Sequence, residues 1–176
     1  MQSGIDSLLP PGAPAGPSLE VELISAHARV SGSVHLNKYT RLSDLLNLQG
    51  AVISVFDPVI LDPAGISAAA NSPRLDVQLD ELTLVVDRSN YIPPVDHQQA
   101  IEKKSHHMMA ITDAHLIFGT FFTYPSAEPP AYLVADDPRW IPLADVTVRS
   151  LVDRKIEFRS AFAVLNRRHI VSTTTL

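Results

Sequence analysis

From Leu19 onward, apolar and polar positions alternate with the period of strands. In VELISAHARVSGSVHL (residues 21–36), Val21 and Leu23 alternate with polar neighbours ahead of a run around Gly32. The period then changes. In NKYTRLSDLLNLQG (37–50), Leu42, Leu45 and Leu46 fall at i, i+3 and i+4. Thr40 or Ser43 supplies a cap and Asn47 or Gly50 a stop, so a helix of one or two turns is predicted between two strands. AVISVFDPVIL (51–61) reads as an apolar strand, with an edge or bulge at Asp57-Pro58 because proline cannot donate to a ladder. Residues 62–75 are small and polar, an excursion. LDVQLDELTLVV (75–86) alternates again, and a bulge near Asp80-Glu81 brings Val77 and Leu79 into phase with Leu82 and Leu84. A turn over 87–90 and a short strand YIPPV (91–95) complete this half.

The second half follows the same plan. HLIFGTFFTY (115–124) lies under ARVSGSVHLN (28–37), with Gly119 falling 87 residues after Gly32. AYLVADD (131–137) takes the place of RLSDLLN. WIPLADVTV (140–148) lies under VISVFDPVI (52–60), with Asp145 falling 88 residues after Asp57. IEFRSAFAVLNRRHIVS (156–172) is set under 77–94 at an offset near 79, NRRHI (166–170) under RSNYI (88–92), so the 62–75 excursion reads as an insertion in a duplicated unit. Each unit of some four strands is marginal alone, and two copies sharing a core bury more apolar surface. The expected fold is mainly β: two tandem small barrel- or sandwich-like units, the first with a short helix, packed as a pseudo-twofold pair. The expected organisation is a flexible Pro/Gly-rich tail (1–18), repeat one (19–95) and repeat two (96–176). The tail's apolar Ile5, Leu8 and Leu9 suit either a docking peptide or a segment lying loosely on the domain.

GSVHL (32–36), RLSDLLN (41–47) and ISVFDPVI (53–60) together resemble an uncharacterised family of small bacterial β-rich domains. Its pattern is a glycine-bearing strand, an R-L-S-D-x-L-N turn and an apolar strand containing Asp. The likeness covers mainly residues 28–60; AYLVADD lacks the Arg, Ser and Asn. It implies a small β module and brings no activity, cofactor or partner with it.

Composition narrows the chemistry. The chain has 176 residues and no cysteine, which removes disulfides, thiolate metal sites and cysteine nucleophiles together. Its net charge of −5 argues against nucleic acid as a partner, and the deficit sits in residues 1–88, with five Lys/Arg against ten Asp/Glu. No stretch approaches the roughly 20 apolar residues of a membrane helix, and the start lacks the pattern of a secretory signal, so a soluble cytoplasmic protein without membrane insertion is expected.

Motifs for common catalytic devices do not occur: there is no G-x-S-x-G, Walker A loop, G-x-G-x-x-G or H-E-x-x-H. His97, His106 and His107, with Asp96 and Glu102, are read as solvated residues of a linker rather than metal ligands, since neighbours in a strand point to opposite sides. No cofactor and no metal are expected. Arg41, Asp44 and Asn47 recur every three residues on one helix face and form either a binding cluster or local bracing. Arg149, Arg154, Lys155, Arg159, Arg167 and Arg168 gather near the C-terminus, where Phe158 and Phe162 are expected to face the core and therefore not to stack on bases.

Three functional readings follow. The first is a non-enzymatic β module for protein–protein interaction or self-assembly through strand edges and the RLSDLLN turn, with Arg41, Asp44, Asn47, Arg167 and Arg168 as candidate binding residues. The second is a small-barrel nucleic-acid binder using the C-terminal basic face. The third is a ligand-binding or hydrolytic protein with a cleft between the repeats built from His115, Asp145 and Arg139.

Overall fold

The computed structural model describes residues 16–64, 66–69, 72–89, 91–92, 102–135 and 138–176. Most of the predicted tail and the His97–Asp96 pair therefore lie outside the described residues. The strands are β1 (Ser18–Ile24), β2 (Arg29–His35), β3 (Val52–Leu61), β4 (Ser67–Ala69), β5 (Arg74–Gln78), β6 (Leu84–Asp87), β7 (Lys104–Ile111), β8 (His115–Thr123), β9 (Trp140–Ser150), β10 (Glu157–Asn166) and β11 (Ser172–Thr175). Two short helices, α1 (Leu42–Leu48) and α2 (Pro129–Val134), interrupt them.

The fold is mainly β, as the alternation predicts. Instead of two closed units, however, the strands form one open antiparallel sheet in the order β11-β7-β8-β9-β10-β6-β1-β2-β3-β4, with β5 also paired to β3. The halves meet through unlike strands: β10 pairs with β6, Ala163 opposite Val86, Val164 opposite Val85 and Leu165 opposite Leu84. The reciprocal pair that a twofold arrangement requires, β5 with β11, is not formed.

Two apolar cores lie on opposite sides of that shared pair. Val85 and Val164 join the first core, with Leu19, Val21, Leu23, Ile53, Val55 and the α1 leucines Leu42, Leu45 and Leu46. Their strand neighbours Leu84, Val86, Ala163 and Leu165 join the second, with Ile117, Phe121, Ile141, Leu143 and Leu133 of α2. A strand buried on both faces must be apolar at consecutive positions, which is why LTLVV and AVL lose the alternation seen elsewhere.

Among the described residues, and with β4 and β5 counted as one strand, the order of elements is the same in each half, strand, strand, helix, two strands, a 3-10 turn, strand, and the spacing is nearly constant. The 3-10 turn Leu79–Glu81 recurs as Arg167–His169, and β6 recurs as β11, each 88 residues on. This corrects the offset of 79 for the last block. The 62–75 excursion is not an insertion: β4 and β5 are two pieces of a strand that runs unbroken as β10, and both lie along the outer edge of β3. Tyr91 and Ile92, expected in a final strand, belong to none. A helix also stands where AYLVADD was set against RLSDLLN. At α1 the helix itself is as predicted, but its N-cap is Arg41 with no side-chain cap bond, and it stops at Gln49, one residue short of Gly50.

The Asp57-Pro58 break is a bulge, and it has a twin. Asp57 (φ 47°) and Asp145 (φ 51°) both adopt the left-handed conformation that Asp tolerates better than most residues. At each, the ladder slips by one residue opposite a glycine: between Ser31 and Ser33 on β2, and between Phe118 and Thr120 on β8. The slip switches the inward phase of β9 from Ile141 and Leu143 to Val146 and Val148. Its ladder partner β10 follows in register, so Phe158 packs on the second core and Phe162 on the first rather than both on one. Glycine is required where the bulged strand crosses. A Cβ on Gly32 would come within 2.6 Å of Val55 Cγ1 and 2.8 Å of the Phe56 carbonyl, while one on Gly119 would meet Leu143 at 3.3 Å. Gly32→Ala is expected to destabilise by about 1–3 kcal/mol and Gly119→Ala by clearly less, read from urea unfolding midpoints at unchanged m-value.

Candidate functional site

The junction of the two halves is fastened by polar groups around the 3-10 turn Leu79–Glu81. Asn166, at the end of β10, is completely buried. Its Nδ2 donates to the carbonyls of Leu82 (2.8 Å) and Leu79 (3.3 Å), its Oδ1 accepts from Arg168 N–H, and its backbone N–H donates to Thr83 O at 2.9 Å. Arg139 donates to Leu79 O (2.9 Å) and to Asn166 Oδ1, and pairs with Asp80 Oδ1 at 2.5 Å. Arg168 pairs with the same Asp80 oxygen at 3.2 Å, and His169 Nε2 donates to Asp80 O at 2.7 Å. A basic turn, Arg167–His169, thus grips the acidic turn that occupies the matching place in the first half.

Asn47 supplies a second fastening. Its Oδ1 accepts the backbone N–H of Trp140 (2.9 Å), and its Nδ2 donates to the carbonyls of Trp140 and Ser43, both at 3.0 Å. The side chain therefore imitates a neighbouring strand for β9 while also holding a carbonyl of its own helix. Trp140 itself is fully buried in the first core.

Beside this junction, a cleft of about 540 Å³ opens between α2 and β11, lined by Arg139, Arg167, Arg168, Leu133, Ser172 and Thr173 among others. The Arg167 guanidinium lies 5.3 Å from the ring centre of Tyr132. Of the five candidate binding residues, Arg167 and Arg168 reach the cleft. Asn47 holds the strand that begins beside Arg139, whereas Arg41 and Asp44 line neither this cleft nor the smaller groove along β5.

The alternative constellation does not assemble. His115 pairs with Ser150 at the far end of β9 from Arg139, about 36 Å away along the strand at roughly 3.3 Å per residue. Asp145 sits exposed at the bulge between them. The basic residues also separate: Arg154 and Lys155 occupy the β9–β10 hairpin, at the opposite end of β10 from Arg167 and Arg168. Arg149 and Arg159 both pair with Glu157. His106 and His107 stand on β7, not in a linker, bonded across the ladder to Thr123 and Thr120. Among the described residues, no three His, Asp or Glu side chains gather as metal ligands, and no helix is long and apolar enough to cross a membrane.

A buried ion cluster lies on the other side of the shared strands. Glu22 accepts from both Arg29 and Arg88, the latter at 2.8 Å, and both guanidiniums lie over the Phe158 ring at 4.9 and 5.4 Å. Two cations on one buried carboxylate, each with an aromatic face to rest on, brace β1, β2 and the chain after β6. His115 feels this cluster: burial first, and then the Arg29 charge, lower its pKa from the usual value.

Asn166 and Asp80 were not among the candidates. A polar residue terminating the apolar run AFAVL was the available signal, together with the opposite charges of LDE and RRH. Comparison with protein-family models, curated proteins and solved structures finds no match to this chain, and so does not bear on the resemblance of residues 28–60.

Asn166→Ala strands two buried carbonyls and is expected to cost about 2–4 kcal/mol; Asn47→Ala, with one strand end released, should cost about half as much, both from chemical denaturation. For His115 the unfolded chain binds the proton more readily, so stability falls as pH drops through about 6.5. His115→Gln should flatten the stability profile between pH 7 and 5, measured as the pH dependence of the urea midpoint.

Proposed function

We propose that this chain is a non-enzymatic β module for protein–protein interaction, formed by tandem duplication of one unit, and that the free edge of β11 with its adjoining cleft is the recognition surface. The carrying observation is a difference between equivalent strands. Among the described residues, β6 is hydrogen-bonded on both sides, to β1 and β10, whereas its counterpart β11 is bonded to β7 alone. Leu176 N–H donates to His107 O, so even-numbered residues of β11 turn their backbone groups toward β7. Thr173 and Thr175 then present theirs outward, a template for an incoming strand. The arginines lining the cleft give that strand an electrostatic direction, favouring acidic residues in it.

The spacing of 87 or 88 residues between matching turns, helices and bulges supports the duplication. The separation of the basic residues to two ends of β10 weighs against the nucleic-acid reading, whose electrostatic footprint would be a continuous patch.

Selection from a displayed library of eight-residue peptides tests this reading. The expected ligands alternate apolar and polar residues, carry Asp or Glu, and lose at least ten-fold in affinity against Thr173→Pro, which removes one outward N–H and no backbone bond to β7; Thr173→Val, which removes only the hydroxyl bond to Met109 O, should bind as wild type does. Failure to select any peptide, or binding indifferent to Thr173→Pro, overturns it. A nucleic-acid function would show instead as binding that declines steeply with added salt.

A further inference from the structure

We infer that the strand completing β11 is β5 of a second copy of this chain, so that copies join head to tail. The inference rests on the edge reading above and names its partner. The molecule already contains one instance of the joint. In the β10–β6 pair, the fourth strand of one unit lies against the fifth strand of the other. That leaves one fifth strand, β11, and one broken fourth strand, β5, each without its counterpart. Because β5 pairs with β3 through its odd-numbered residues, as the Leu79 N–H to Ala51 O bond continues, Asp76 and Gln78 turn their backbone groups outward.

Carrying the internal pairing over by 88 residues gives a definite register. Leu75 lies opposite Thr174, Asp76 opposite Thr173, Val77 opposite Ser172 and Gln78 opposite Val171. Gln78 occupies the position of Asn166, so its backbone N–H meets Val171 O, and its amide is directed at the carbonyls of Arg167 and Ile170, as that of Asn166 meets Leu79 and Leu82. Two clefts on the described surface lie where this joint places side chains. The cleft lined by Arg139, Arg167, Ile170 and Ser172 matches the place in the first half that Trp140 and Asn166 fill. The groove of about 300 Å³ along Leu75, Val77, Leu23 and Val30 matches the interior that β6 covers in the second half. Charge agrees as well: the acidic Asp80-Glu81 turn of one copy arrives beside the basic Arg167–His169 turn of the next, the same two turns that meet inside the chain.

The joint between copies is weaker than the internal one. Ser172 and Thr174 take the positions of Leu84 and Val86, and a hydroxyl buried in an apolar groove forfeits much of the gain from burial. Association is therefore reversible and concentration-dependent.

Light scattering after size exclusion, over a dilution series of the full chain, tests this. Wild type should grow from one chain to two or more as concentration rises. Thr173→Pro and Gln78→Pro should each remain a single chain; Gln78 has φ −71°, which proline adopts without strain. Mixing those two variants should yield a one-to-one complex and nothing larger, because each keeps the edge the other has lost. Ser172→Leu with Thr174→Val, copying Leu84 and Val86, should tighten assembly at least ten-fold, and adding Gln78→Pro should abolish it. Since the chain lacks cysteine, Gln78→Cys with Val171→Cys should also give intermolecular disulfides, the facing Cα atoms of such a pair lying about 5.5 Å apart.

A wild type of single-chain mass throughout, or assembly indifferent to both prolines, overturns the inference. If that monomer still binds selected peptides in a Thr173-dependent way, the second copy is refuted as the occupant while the edge reading stands.

Discussion

The pairing of β10 with β6 is the contact on which the rest of the architecture depends. It is the place where both halves are hydrogen-bonded into one sheet, and its residues are divided between two cores. Leu84, Val86, Ala163 and Leu165 enter one, Val85 and Val164 the other. Neither core is complete without a strand from the opposite half. A unit of about 75 residues gains too little burial by itself, and lending its fifth strand to a neighbour is one way for it to acquire a second covered face.

Polar groups make that joint specific. Apolar strands slide along one another at little cost, and a slip of one residue would exchange the two cores. Asn166 prevents the slip because its amide reaches the carbonyls of Leu79 and Leu82 in one register only. Asn47 does the same for the start of β9. Buried amides stabilise less than apolar groups of their size would, yet a misregistered pairing leaves them unsatisfied, and the penalty falls on the wrong alignment.

The same logic explains why the ends of the sheet differ from its middle. β11 is four residues of Ser and Thr, and β5 is interrupted from β4. Short, polar or broken strands are the usual defence of an open edge against indiscriminate pairing. In the joint proposed above they would lower the strength of a pairing whose geometry the interior already displays, and so favour a strand that brings the right amide and the right charge.

Much of this was legible along the chain. The strand content followed from alternation, α1 from Leu42, Leu45 and Leu46, and the break at Asp57 from the proline after it; the twin bulge at Asp145, and the glycine crossed at each, emerged only in the folded sheet. The terminal block was misaligned because consecutive apolar residues in LTLVV and AVLN carry no phase, so their register was open. Arg167 and Arg168 stood out as charge, but Asn166 and Asp80 acquire their importance from groups some 85 residues away. Local sequence determines which segments extend, bend and bulge, since those preferences are written in each residue's own sterics. Which strands become neighbours, which edge is left free and where the cleft opens were decided only by the folded sheet, because they depend on long-range pairings among strands that are nearly interchangeable in local pattern.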